Sequence, residues 1–474
     1  MKHLQFIFIA LTLLLLGCSR PSGTTISGKI EGKQVTKINY SVPINGFAYS
    51  GFKESVPVDS LGNFTINIDI DKAAFVTIDI PEINISRKMI VEPKQCYELT
   101  INKDGSNAIE IIGTNTEGQD IYQTFPNPYI AEMMLSGYED IYRSDSVHQQ
   151  IMDKKDSEIS QFQVLLDNKK ISEEFFNLIK IDRDCYYTAL GGMLALSRLT
   201  FVEDERKEIT YLIDGYKMYP IENKELTRSS FWHHYIEIYL SAKMFMKSVS
   251  DEWDPQTTVF SIAEEELKDE QLEYFKAMHL YRKIYIVSFS KEYNDDSFSL
   301  FEKFKKDYPE SKYTKYIESI IKEIDDFKDT AKQPFGESIK FIPESENINS
   351  LQDLIALFKG KKLYIDIWAT WCSSCIGEFK YNERLRKVLK EQERDLIYIS
   401  LDDESSIERW EGMIKYYTLE GNHIRANDKL HNDLRAIYPK ENIISIPWYI
   451  MIDENGNITE AYAPNPSDLI KNIE

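Results

Sequence analysis

Residues 368–375 read WATWCSSC, which places Cys372 and Cys375 three apart with Trp371 directly in front. Cysteines at this spacing hold a metal, lock a turn as a static disulfide, or cycle between dithiol and disulfide. A zinc site needs two further ligands, and the chain has no second close cysteine pair and no His-x3-His. Haem attachment needs a His after the second Cys, where this chain has Ile376. The surroundings favour thiol–disulfide exchange. An apolar run, Leu363 to Trp368, reads as a buried strand, and a long helical pattern begins near Cys372. A thiol at a helix N-terminus meets unpaired N–H groups and the positive end of the macrodipole, both of which stabilise the thiolate. Cys375, one turn deeper, can reach back and resolve a mixed disulfide formed at Cys372.

The elements that must hold this pair follow in order. SLQDLIALF reads as a helix, Lys359-Gly360-Lys361 as a turn, and DLIYISLD as a second strand after the cysteine helix. SIERWEGMIKYY is helical, and a variable stretch with His423 and His431 comes next. The strand PWYIMID, the turn ENGN, the strand ITEAY and a short helix end the chain. Strands alternating with helices indicate an α/β layer.

Residues 335–474 resemble the thioredoxin-fold, membrane-tethered thiol oxidoreductases of the TlpA/ResA type. The resemblance is carried by KGKKLYIDIWATWCSSCIGE, LIYISLDD and SIPWYIMIDENGNI. It implies that Cys372 attacks and Cys375 resolves, with the Cys372–Cys375 disulfide as the redox group and no other cofactor or metal. It makes Ile446-Pro447 a cis-proline site opposite the cysteines and puts Trp371, Ile446 and Pro447 against substrate. Asp366 matches the buried Asp of thioredoxins, a carboxyl whose pKa burial raises toward neutrality. Glu378, read alone a solvated helix residue, matches the active-site Glu of ResA-like proteins. The chain departs from the pattern at Ser373-Ser374, which supplies no cation beside Cys372. It also departs at Lys380, where relatives usually carry Pro, so a weaker helix kink is expected.

At 474 residues the chain is expected to hold several domains, and 42% hydrophobic with 12% aromatic residues is ample for packed cores. A formal charge of −21 argues against nucleic acid as a partner. The N-terminus has Lys2 and then an apolar run, Leu4 to Leu16, whose length suits a signal peptide. Leu15-Leu16-Gly17-Cys18 resembles a bacterial lipobox, which implies cleavage after residue 17, lipidation of Cys18 and a flexible tether over 18–23. No acidic run follows Cys18, which favours the periplasmic side of a membrane over surface export.

Residues 24–124 show short Ile/Val/Thr/Phe-rich runs between turn residues and read as an antiparallel β-sandwich. Within them Asp59 to Phe64 reads as a hairpin turn. The stretch resembles the β-domain that precedes thioredoxin modules in many bacterial lipoproteins. Pro126 and Pro128 mark a boundary, and residues 125–332 are helical, with Phe301 to Ile324 read as two helices broken at Tyr308-Pro309. Residues 332–349 read as a linker with one strand. His233, His234 and Glu237 do not share a helix face and are expected as one buried and one exposed imidazole, not a metal site. Cys96 and Cys185 are expected as buried free thiols.

The expectation is therefore a multidomain, lipid-anchored periplasmic enzyme. It would reduce protein disulfides and be recharged by an upstream membrane thiol donor. Two alternatives stand beside it. One is a binding or scaffold lipoprotein with a static disulfide. The other is a peroxiredoxin-like peroxidase, against which Ala369 occupies the position where that motif has Thr or Ser.

Overall fold

The computed structural model describes residues 23–30, 35–83, 85–101, 109–128, 131–138, 146–199, 205–248, 258–291, 296–438 and 444–471. The expected signal segment, residues 1–17, and Cys18 lie outside the described residues. Two compact units, 1–276 and 277–474, divide the chain.

The first unit opens with strands β1 (Thr24–Ile30), β2 (Lys37–Ser41), β3 (Glu54–Pro57), β4 (Asn63–Ile68), β5 (Ala74–Ile80), β6 (Ile85–Val91), β7 (Cys96–Ile101) and β8 (Ile109–Ile112). They form two four-stranded sheets, ordered β4-β1-β7-β8 and β3-β2-β5-β6. Alternation drives this: along β4 Phe64, Ile66 and Ile68 are buried while Asn63, Thr65 and Asn67 are exposed. Apolar residues of both sheets, such as Ile26 and Tyr97 from one and Val76 and Met89 from the other, share one core.

Two expectations are corrected here. The sheets are not wholly antiparallel, because β1 and β7 pair in parallel. Asp59 to Phe64 does turn tightly, with the Gly62 N–H donating to the Asp59 carbonyl at 2.9 Å and Gly62 at φ 84°. But β3 and β4 join different sheets, so the turn crosses between sheets instead of closing a hairpin.

Helices α1 (Thr116–Tyr122), α2 (Val147–Asp167), α3 (Glu173–Arg198), α4 (Glu205–Met218), α5 (Trp232–Ser248) and α6 (Val259–Glu266) follow, and α7 (Asp269–Ser290) begins in the first unit and continues in the second. The long α3 starts where Ser172 caps it, its hydroxyl accepting from the Phe175 N–H, with Glu173 and Glu174 in the first turn. On α5 both His233 and His234 are buried, not one of the two, because α3, α6 and Tyr49 pack against this helix. His233 packs on Tyr49, and His234 has its Nε2 3.3 Å from the Pro128 carbonyl and its Nδ1 3.9 Å from the Glu237 carboxylate. No cluster of three or more metal-ligating side chains occurs among the described residues. Cys185 is a buried free thiol, whereas Cys96 is not free, which corrects that half of the expectation.

The second unit contains α8 (Ser297–Asp307), α9 (Thr314–Ala331), β9 (Ile339–Phe341), α10 (Leu351–Ala356), β10 (Lys362–Trp368), α11 (Ser373–Glu378), α12 (Asn382–Glu391), β11 (Arg394–Ser400), α13 (Ile407–Tyr416), β12 (Gly421–Arg425), α14 (Asp428–Ile437), β13 (Trp448–Ile452), β14 (Ile458–Glu460) and α15 (Pro466–Lys471). Its sheet runs β14-β13-β10-β11-β12-β9. β10, β11, β12 and β9 are parallel, and β13 and β14 are antiparallel additions. Side chains alternate between two cores. Leu363, Ile365, Ile367, Ile397, Ile450 and neighbours face one, covered by α10 and α14. Tyr364, Trp368, Tyr398 and Tyr449 face the other, with both cysteines, α12 and α13. Helix α9 joins this second core through Phe327, which meets α13 at Gly412, where a Cβ would lie 2.8 Å from the Phe327 ring. The amphipathic pair α8–α9 therefore belongs to the same unit as the α/β layer.

Candidate active site

Strand β10 ends at Trp368, and the chain turns there under tight control. Leu401 donates its N–H to the Trp368 carbonyl at 2.9 Å, and Cys372 donates to the Ala369 carbonyl at 3.1 Å. The buried carboxylate of Asp402 accepts from the Thr370 hydroxyl at 2.6 Å and from its backbone N–H at 2.9 Å. Asp402 is itself fixed by the Ser400 hydroxyl, which donates to it at 2.7 Å. The loop that carries Cys372 is thus pinned by a residue from the end of the neighbouring strand. Sequence reasoning missed this role, although LDD was in view; the signal was Ser400-x-Asp402 at a strand end, a spacing at which Ser and Asp side chains bond the local backbone.

Cys372 is the N-cap of α11, and its sulfur accepts from the Cys375 N–H at 3.1 Å. The Ser374 hydroxyl lies 3.5 Å from the same sulfur. The backbone thus aims a donor at the position where a thiolate forms on reduction, which favours the charged form. The two cysteines form a disulfide, with S–S 1.98 Å and Cα–Cα 5.3 Å. Both are buried in this oxidised form, Cys372 at 4% exposure and Cys375 at 1%, so Cys372 is the more accessible. Trp371, by contrast, is 60% exposed beside them. The Ile446–Pro447 peptide bond is cis, and Ile446 packs against the core that contains both cysteines.

Lys380 in place of Pro does not straighten the helix. A 3-10 turn over Phe379–Tyr381 separates α11 from α12, with Phe379 buried against Trp368, ring centroids 5.1 Å apart. Burial of that ring holds the break without proline.

Asp366 sits in the middle of β10, almost fully buried, and its Oδ1 has no hydrogen-bond partner among the described residues. Burial pushes its carboxyl well above the ordinary 3.8, and the nearby charge of Glu378 pushes it the same way. Glu378 ends α11, where its carboxylate accepts from the Ser467 N–H at 2.9 Å and the Ser467 hydroxyl at 3.2 Å. It therefore ties the cysteine helix to the start of α15 and acts on Asp366 through its charge. His423, in the stretch left unassigned from sequence, lies on β12 and stacks on Tyr398 at 4.8 Å.

Residues 325–473 match the family model described as Redoxin. The matched residues lie within the C-terminal unit. Relatives of this region include the thioredoxin-like protein YneN of Bacillus subtilis, 27% identical over 24% of this chain and 61% of that protein. The thiol-disulfide oxidoreductase ResA of Bacillus thuringiensis is 26% identical over 22% of this chain and 55% of that protein. The chain thus spans less than two thirds of either relative. A solved thiol:disulfide interchange protein from a Bacteroides species is 25% identical over 25% of this chain and 73% of its own, with a TM-score of 0.21.

Proposed function

We propose that the protein is a thiol–disulfide oxidoreductase that reduces protein disulfides on the periplasmic side of a bacterial membrane. The observation that carries this reading is the pairing of Cys372, capping a helix with a backbone donor on its sulfur, with the buried acid Asp366 on the same face of the sheet. The reduced Cys372 thiolate attacks a substrate disulfide and forms a mixed disulfide, releasing one substrate thiolate. Cys375 then gives its proton to the Asp366 carboxylate and attacks the Cys372 sulfur. The bond to substrate breaks, and the second substrate sulfur leaves as thiolate. Substrate gains two electrons, and the cysteine pair loses them as its disulfide forms. Reversal of that disulfide requires a dithiol donor upstream. Trp371, Ile446 and Pro447 shape the surface on which the substrate strand lies, and the disulfide itself is the only redox group required.

Residues 1–17 act as a signal peptide, and lipid on Cys18 anchors the chain through the tether 18–23. Labelling with palmitate tests the anchor: wild type takes up label and Cys18→Ala does not. An unlabelled wild type would mean that Cys18 is held as a thiol or a disulfide and that the chain is not anchored this way. Expression of Cys375→Ser in the native cell tests the chemistry, because it removes the resolving thiol and leaves substrates covalently held on Cys372. Trapping of specific partners supports the reading. Absence of any adduct would favour a static disulfide.

A further inference from the structure

Asp366 is flanked in register by two tyrosines. Its pair on β11 is Tyr398 and its pair on β13 is Tyr449, so all three side chains leave the sheet on one face. That face is the core that holds Cys372 and Cys375. Tyr398 is fully buried and Tyr449 nearly so, yet neither hydroxyl has a hydrogen-bond partner among the described residues, and neither does Oδ1 of Asp366. Buried polar atoms left unpaired are costly, and here two such hydroxyls flank one carboxyl whose own Oδ1 is unpaired. A third tyrosine on the same face is different: the Tyr364 hydroxyl is committed, donating to the Pro464 carbonyl at 2.7 Å.

We propose that Tyr398 and Tyr449 are positioning residues for the proton-transfer step, supplying the O–H dipoles that stabilise Asp366 when its carboxyl ionises. A phenolic O–H rotates to suit its surroundings, so an uncommitted one can turn toward a carboxylate, directly or through a bridging water. In an apolar core few other groups can do this. The charged or titratable groups that act on the cluster are Glu378 from α11, which opposes ionisation of Asp366, and Arg386 and Glu420, which act on Tyr398. Tyr364 from β10, His423 stacked on Tyr398 from β12 and, in the reduced protein, the thiols of Cys372 and Cys375 in the same core also face the cluster. The inference rests on the exchange reading above and adds to it the residues that set how readily Asp366 releases and accepts its proton.

The test is a pH titration of the Asp366 carboxyl in the full-length reduced protein. Difference infrared spectroscopy follows its C=O band, which is assigned by its loss in Asp366→Asn. Tyr398→Phe and Tyr449→Phe each delete one hydroxyl and keep the ring. Each is expected to raise the Asp366 midpoint by on the order of one pH unit, as loss of a hydrogen bond to the charged form does. Tyr364→Phe, whose hydroxyl is tied to Pro464, should raise it by less than half as much. Below the midpoint, release of substrate from a preformed Cys372 mixed disulfide should slow up to about tenfold in the two active variants, one unit being a factor of ten. The proposal is overturned if neither variant moves the midpoint, or if Tyr364→Phe moves it equally. If the protein shows no thiol exchange, the infrared titration still reads the tyrosine effect, so failure of the function and failure of this inference are distinguishable.

Discussion

Replacement of Asp366 by Asn should change how stability depends on pH, because this carboxyl is buried with Oδ1 unpaired and Glu378 nearby. In the folded unit it holds its proton above 3.8, whereas in the unfolded chain it releases it near that value. Between the two values the folded state binds one proton more than the unfolded state. Stability therefore falls as pH rises through that window, by up to about 1.4 kcal/mol per pH unit for one proton, and levels off above the raised value. Asn does not titrate, so the difference between variant and wild type should grow with that slope. Any fixed cost of leaving the Asn amide unpaired adds a constant and leaves the slope untouched. The assay is urea unfolding of the oxidised protein from pH 4 upward, followed by hydrogen exchange in peptides from β10, which reports on the unit containing Asp366. A constant offset between variant and wild type across that range would refute the reading that burial raises the proton affinity of Asp366.

Asp402→Asn retains one acceptor but loses the charge that serves both Thr370 and Ser400; it should destabilise the second unit by about 1.5–3 kcal/mol in the same unfolding assay and slow disulfide exchange measured on the folded protein. Glu378→Gln keeps an acceptor for Ser467 but removes the charge that raises the Asp366 carboxyl. The infrared midpoint of Asp366 should therefore move down, with little change in stability. An unchanged midpoint would mean that the two carboxyls do not interact.

The candidate site was legible in the sequence because it rests on short-range features. Cys372, Cys375, Asp366 and Pro447 stand at motif spacings, and the strand before the cysteines is an unbroken apolar run. What was illegible depends on partners far away along the chain. β12, with His423 at its centre, has too few apolar residues to announce a strand, and it exists because β11 and β9 pair with it. The amphipathic stripe of α9 shows that the helix needs a partner but not that α13 is that partner. Asp59 to Phe64 encodes its turn locally, while the sheet each flanking strand joins is set by long-range pairing. The second buried imidazole on α5 and the uncommitted hydroxyls of Tyr398 and Tyr449 likewise become visible only once neighbouring elements are packed around them.

The most direct test of the central claim is the reduction potential of the Cys372–Cys375 pair, measured by equilibrating the full-length protein with dithiol buffers of known potential. A working exchange pair should titrate within the range of thioredoxin-like and disulfide-exchanging proteins, about −270 to −120 mV. A potential below about −300 mV, where structural disulfides lie, would contradict the account and make the pair a static bridge.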